Sequence, residues 1–158
     1  MIDVALNLNG MPVVRSVQPR RLLSDFIRED LGHTGTHVGC EQGYCGACTV
    51  LLDGEPVRSC LMFAFQAGGR AVETVESLAT SSTELHPIQH AFWDKHALQC
   101  GFCTPGMLMA AKAILASNPD PTEEEVRHDL SANMCRCTGY GQIVDAVLAA
   151  GATLRETS

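Results

Sequence analysis

Apolar and polar positions alternate from the start of the chain, with Val4, Leu6 and Leu8 interleaved with Asn7 and Asn9. Asn9-Gly10 supplies a two-residue turn, and Val13, Val14 and Val17 begin a return, so residues 3–17 read as a β-hairpin. The period changes over residues 22–31, where Leu23, Phe26 and Ile27 share one face of a short helix and Gly32 stands where a C-terminal cap belongs. Thr49-Val50-Leu51-Leu52 predicts a strand, Asp53-Gly54 a second hairpin turn, and Val57 lies on the return; residues 71–76 alternate again as a last strand. Strand patterning then stops at a polar stretch carrying Ser77, Thr80, Ser81, Ser82 and Thr83. Beyond it the chain is helical. Ile88, Ala91 and Phe92 mark a helix over 86–97, and Met107, Ala110, Ala111, Ile114 and Leu115 follow the spacing of a core-facing one. Asn118-Pro119-Asp120-Pro121 breaks the pattern, and Thr122 with Glu125 forms a capping box for a helix burying Val126 and Leu130. A last helix carries Ile143, Val144, Val147 and Leu148. The expected class is α+β: a hairpin-and-helix domain over residues 1–76, a linker over 77–83 and a bundle of four short helices over 84–158.

Charge narrows the possible partners. The 158 residues carry a net charge of −7, with 11 Lys and Arg in total and no basic run longer than Arg20-Arg21. A nucleic-acid footprint needs a basic face, so that class is excluded. No segment reaches the apolar length of a membrane span, and no basic segment followed by an apolar core stands after Met1. The expected compartment is the cytoplasm, where thiols serve metals or catalysis rather than disulfides.

Eight cysteines carry the chemistry, in two groups of four. Cys40, Cys45, Cys48 and Cys60 are separated by four, two and eleven residues. This is the plant-type ferredoxin ligand run, which implies a [2Fe–2S] cluster held by four thiolates. Gly35, Gly39, Gly43 and Gly46 interleave with the first three cysteines, and such a loop can bring backbone N–H groups close to an anionic ligand. Cys100 and Cys103 form a C-x2-C, and 31 residues later Cys135 and Cys137 form a C-x-C. Both pairs precede helices, with Thr104 and Thr138 as candidate N-caps, so positive helix ends would face an anionic centre. The second motif alone leaves zinc open, since a C-x2-C with a C-x-C could close a tetrahedron. That alternative is a free-standing ferredoxin-like carrier with a structural zinc in its helical half.

Three motifs together resemble one family across nearly the whole chain. They are Gly39-Cys40-Glu41-Gln42-Gly43-Tyr44-Cys45-Gly46-Ala47-Cys48-Thr49-Val50, then Gln99-Cys100-Gly101-Phe102-Cys103-Thr104-Pro105-Gly106, then Cys135-Arg136-Cys137-Thr138-Gly139-Tyr140. In this order they are similar to the iron–sulfur subunits of molybdenum hydroxylases, the xanthine dehydrogenase, aldehyde oxidoreductase and carbon monoxide dehydrogenase group. The resemblance implies a β-grasp ferredoxin-like domain with a [2Fe–2S] cluster on Cys40, Cys45, Cys48 and Cys60. It implies a four-helix domain with a second cluster on Cys100, Cys103, Cys135 and Cys137, and it brings Gln99 and Cys137 close to a molybdopterin. It further implies a large molybdopterin-binding subunit, a medium FAD-binding subunit and a dimer of heterotrimers. In such an enzyme a small organic substrate, an N-heterocycle or an aldehyde, is hydroxylated on the large subunit. Electrons then pass through this chain to FAD.

No catalytic residue is expected in the chain itself. His33 and His37 read as loop residues, and His86, His90 and His96 as a solvated helix face. Glu123, Glu124 and Glu125 complement a helix dipole, and Met107 and Met109 read as core filler. Phe92 and Trp93 fit either a core or a subunit interface.

Overall fold

The computed structural model describes residues 1–79, 81 and 83–157. Thr80 and Ser82 of the expected linker, and Ser158, lie outside the described residues. Strands β1 (Ile2–Leu8) and β2 (Met11–Val17) form the first hairpin, closed by Asn9 and Gly10 at φ 52° and 85°. Two successive positive φ values match the right-handed twist of the strands, which is why Asn-Gly stands there. Asp53 and Gly54 repeat the device, at φ 52° and 87°, between β3 (Thr49–Leu52) and β4 (Glu55–Arg58). Strand β5 (Ala71–Glu73) joins the two hairpins into one mixed sheet of order β2-β1-β5-β3-β4. It runs parallel to β1 and antiparallel to β3.

Two local expectations change here. The final strand is shorter than residues 71–76, because the chain turns into a 3-10 helix over Val75–Ser77. The helix expected over 22–31 is α1 (Leu23–Asp25) continued by a π-turn over Phe26–Asp30. The Leu31 N–H donates to the Phe26 carbonyl, one residue beyond the α register, and Gly32 ends the turn at φ 76°. The wider turn still presents Leu23, Phe26 and Ile27 to the sheet, where they are fully buried with Val4, Val50, Leu52 and Val72.

Four helices follow: α2 (Pro87–Asp94), α3 (Thr104–Ser117), α4 (Glu123–Leu130) and α5 (Gly141–Glu156). Ile88, Phe92, Met107, Met109, Val126, Leu130 and Ile143 make a second apolar core. The Thr122 hydroxyl accepts from the Glu125 N–H, and the Glu125 carboxylate accepts from the Thr122 N–H, as the capping box requires. His86 departs from the solvated reading, because its Nδ1 accepts the Ile88 N–H at 3.2 Å and caps α2. Phe92 belongs to the core, and Trp93 is 71% exposed.

The two cores meet at β3. Val50 and Leu52 face α1, while Leu51 points the other way into the helical core, 2% exposed. Helix α3 lies against this back face of β3, so the strand is buried on both sides and reads as a continuous apolar run. Gly106 lets α3 begin directly against the first cysteine loop. A Cβ at Gly106 would press on the Gly46 carbonyl oxygen and stand 2.9 Å from that of Ala47. Both neighbours are backbone and cannot turn aside. Gly106→Ala is therefore expected to destabilise the fold by about 1–3 kcal/mol, the usual range for overpacking, read as a lower urea midpoint by far-ultraviolet circular dichroism. An unchanged midpoint would show that the two halves are not held this closely.

Candidate iron–sulfur sites

All eight cysteines are free thiols. The first set is built on a loop that passes through left-handed backbone at Glu41, Gly43 and Gly46, with φ of 54°, 72° and 73°. This winding turns N–H groups inward, and the Cys40 sulfur accepts from the Gln42 and Cys45 N–H groups at 3.4 and 3.3 Å. Those two donors, Cys45 first, bring the half-buried Cys40 thiol down to about 7. Cys48 ends the loop at the mouth of β3 and Cys60 arrives on the 3-10 turn Ser59–Leu61 after β4, both buried. Burial, reinforced by the neighbouring Cys48, pushes the Cys60 thiol up to about 11.

The second set is held differently from expectation. Thr104 is the first residue of α3, and the N-cap is Cys103 itself. Thr138 is not a cap either, since α5 starts at Gly141 behind Tyr140, which adopts φ 71°. Cys135 and Cys137 therefore sit on a separate loop ahead of α5. Its side chains supply the donors that a helix end was expected to supply. The Thr138 hydroxyl donates to the Cys135 sulfur at 3.1 Å and accepts from the Tyr140 N–H. The Tyr140 hydroxyl accepts the Cys135 N–H at 2.9 Å and donates to the Asn133 carbonyl. Burial raises the Cys135 thiol, but the Thr138 hydroxyl and nearby N–H groups outweigh it, and the net direction is down. Burial beside Cys135 pushes Cys103 up to about 12, whereas the Phe102 N–H, then Cys137, lower the exposed Cys100.

Within each set the hydrogen-bonding contacts between thiols run in pairs, Cys40 with Cys45, Cys48 with Cys60, Cys100 with Cys137 at 3.5 Å, and Cys103 with Cys135, while charge alone links Cys40 with Cys60, Cys100 with Cys135 and Cys100 with Cys103 across the pairs. A tetrahedral zinc ion gathers its donors around one point, whereas a two-iron core takes two thiolates at each iron and spreads them into pairs. The donor set fits the second case. The Thr104 hydroxyl is buried without a partner next to Cys103, a donor free for an acceptor at this site. Gln99 Nε2 donates to the Cys137 carbonyl at 3.0 Å, so these two expected pterin neighbours stand together on an exposed edge.

The two loops touch. The Met134 N–H donates to the Cys45 carbonyl at 2.8 Å, a backbone bond from one cysteine loop to the other. Phe102, between Cys100 and Cys103, stacks on His37 with centroids 5.0 Å apart, and its carbonyl lies 2.7 Å from His37 Nδ1. Both histidines of the first loop are engaged in packing, His33 facing Asn9. Asn133 and Arg58 carry much of this architecture and were not singled out from the sequence, whereas Tyr140 closes the third motif. Asn133 and Arg58 bond across 75 or more residues, and no local pattern announces such pairs.

Comparison with known proteins gives matching results for each half. Residues 6–79 match the 2Fe-2S iron-sulfur cluster binding domain family, and residues 74–148 the [2Fe-2S] binding domain family. Caffeine dehydrogenase subunit gamma of Pseudomonas sp. (strain CBB1) is 50% identical over 147 residues, 91% of this chain and 87% of that subunit. A chain of quinoline 2-oxidoreductase from Pseudomonas putida 86 superposes with a TM-score of 0.94 at 50% identity, covering 98% of this chain and 96% of that one. The aldehyde oxidoreductase of Desulfovibrio desulfuricans ATCC 27774 gives a TM-score of 0.95 at 45% identity over 99% of this chain, but over 17% of its own. There the same fold is one segment of a longer polypeptide.

The thiol environments predict an order of reactivity. In the iron-free chain, Cys40 ionises as pH rises through about 7, while Cys60 and Cys103 stay protonated until about 11 and 12. Brief iodoacetamide treatment at neutral pH is expected to label Cys40 well ahead of the other two, as read by peptide mass spectrometry. Equal labelling of all three would contradict the burial and hydrogen bonding described.

Proposed function

Because this chain belongs to the family of iron–sulfur subunits of molybdenum hydroxylases, we propose that it carries electrons from a partner's molybdopterin centre to a flavin-bearing partner. The observation that carries this reading is the sorting of eight free thiols into two sets whose loops are joined by the Met134 N–H to Cys45 carbonyl bond. Cys40, Cys45, Cys48 and Cys60 would hold one [2Fe–2S] cluster, and Cys100, Cys103, Cys135 and Cys137 the other. When bound, the two clusters supply one-electron stations between a two-electron oxidation and the flavin.

The roles of this chain's own residues follow from where they stand. The N–H groups of Gln42 and Cys45 stabilise negative sulfur in the first loop, and the Thr138 hydroxyl does so in the second. Burial of Cys48 and Cys60 keeps water from one side of the first site. Gln99 and Cys137, on an exposed edge of the second set, would face the pterin. The parallel β1–β5 pairing supports a β-grasp ferredoxin-like domain over residues 1–76, and α2–α5 support a four-helix domain over 84–158.

The partners we propose are a large molybdopterin-binding subunit and a medium FAD-binding subunit, assembled as a dimer of heterotrimers. The names of the relatives support this, since one is called a subunit gamma and another chain carries the fold within a longer enzyme. Caffeine, quinoline and aldehydes appear in those names, which supports an N-heterocycle or an aldehyde as the substrate class. Among the described residues no helix is long and apolar enough to cross a membrane. The free thiols favour the reducing cytoplasm.

Metal analysis of the purified complex is expected to return about four irons per copy of this chain and no zinc. Electron paramagnetic resonance of the reduced complex should show two distinct signals. Cys103→Ser should abolish one of them and stop flavin reduction by substrate; Cys45→Ser should abolish the other. Two irons and one zinc per chain, or loss of both signals from either change in a folded protein, would overturn the assignment.

A further inference from the structure

Asn133 occupies an unusual place between the two thiol loops. It lies two residues before Cys135 and is 3% exposed, a buried carboxamide. Its Nδ2 donates to the Gly46 carbonyl at 3.0 Å and to the Thr49 hydroxyl at 3.2 Å, on either side of Cys48. Its Oδ1 accepts from Arg58 Nη2 at 3.2 Å. The same guanidinium donates to the Ala132 carbonyl and the Thr49 hydroxyl, each at 2.5 Å. Thr49 in turn donates to the Gly46 carbonyl at 2.6 Å. The network is closed, with both carboxamide protons and the carboxamide oxygen engaged. It spans two loops that are 87 residues apart in sequence.

We propose that Asn133 is a positioning residue, its carboxamide fixing the Cys45–Cys48 segment against the Cys135 loop so that the two clusters keep one separation. This rests on the reading of the chain as a two-cluster carrier. The helical core packs against Cys103 and Cys135, and the Met134 N–H to Cys45 carbonyl bond ties the two loops at one point; the Asn133 carboxamide adds directional side-chain contacts to Gly46 and Thr49, on either side of Cys48. Polar contacts are directional, and breaking a buried one leaves a group unsatisfied, so they hold register where packing alone permits drift. Functional groups need placement to within about 0.5 Å, which side-chain hydrogen bonds behind the ligands provide. Asn133 meets that requirement on both loops at once, and Arg58 braces it from β4.

The test uses the whole complex carrying Asn133→Ala or Asn133→Asp, with Thr122→Ala as a control that loosens the helical half at the distant α4 cap. Asn133→Asp keeps the shape and the bond to Arg58 but loses both donated hydrogens. Iron content and the two resonance signals are measured first. Pulsed dipolar resonance then gives the distribution of cluster separations, and rapid mixing gives the rate at which substrate reduces the flavin. The expected result is both signals retained, a shifted or broadened distribution and slowed flavin reduction in the Asn133 variants, with the control as narrow as the parent. A parent-like distribution in both Asn133 variants, or equal broadening in the control, would overturn the proposal. Should Asn133→Ala lose iron, Asn133→Asp decides by the same criteria. A parent complex with a single signal would instead overturn the two-cluster reading itself.

Discussion

Negative charge gathered on sulfur governs how both cysteine loops are built. Four thiolates around one centre repel one another, and each needs donors close at hand to offset that repulsion. The two loops meet the requirement with different chemistry. The first winds its backbone through left-handed turns at Glu41, Gly43 and Gly46, so that its own N–H groups face inward. The second uses hydroxyls, with Thr138 donating to sulfur and Tyr140 fixing the backbone on either side of Cys135. Each set is also lopsided. Half-buried Cys40 and exposed Cys100 have thiols lowered by nearby N–H donors, while Cys60 and Cys103 are raised by burial.

Small folds bury too little apolar surface to be stable with ease, and here two small cores support each other. The strand β3 serves both, and α3 lies across its back from a start made possible by Gly106. Lys112 of α3 is paired with Glu73 of β5, adding a charged tie along the same seam. Stability and site geometry therefore share one boundary. Gly106 and Leu51 at this seam stand three residues from Cys103 and Cys48 respectively.

What could be read from the chain beforehand was whatever depends on a few adjacent residues. Asn9-Gly10 and Asp53-Gly54 turn where they must because only such pairs accept two positive φ values without strain. Thr122 and Glu125 reach each other within one helical turn, and the cysteine spacings carry their meaning in themselves. The misreadings arose where a local rule met a distant partner. Thr138 fits the cap rule, but its hydroxyl is drawn to the Cys135 sulfur and the helix starts three residues later. His86 looked solvated by its helical spacing, yet its ring turns back to cap α2 under cover of the fold. The π-turn over Phe26–Asp30 has no local signal in the sequence, and Asn133 acquires its partners only once two halves of the chain have docked.

The two-sided burial of β3 has a consequence for modular design. Leu51 gives its side chain to one half of the molecule while its backbone belongs to the other. A chimera that exchanges the helical half for a foreign one would inherit a sheet whose reverse face was shaped for the original lodger. Successful recombination would have to carry β3 and α3 across as a single inseparable cassette.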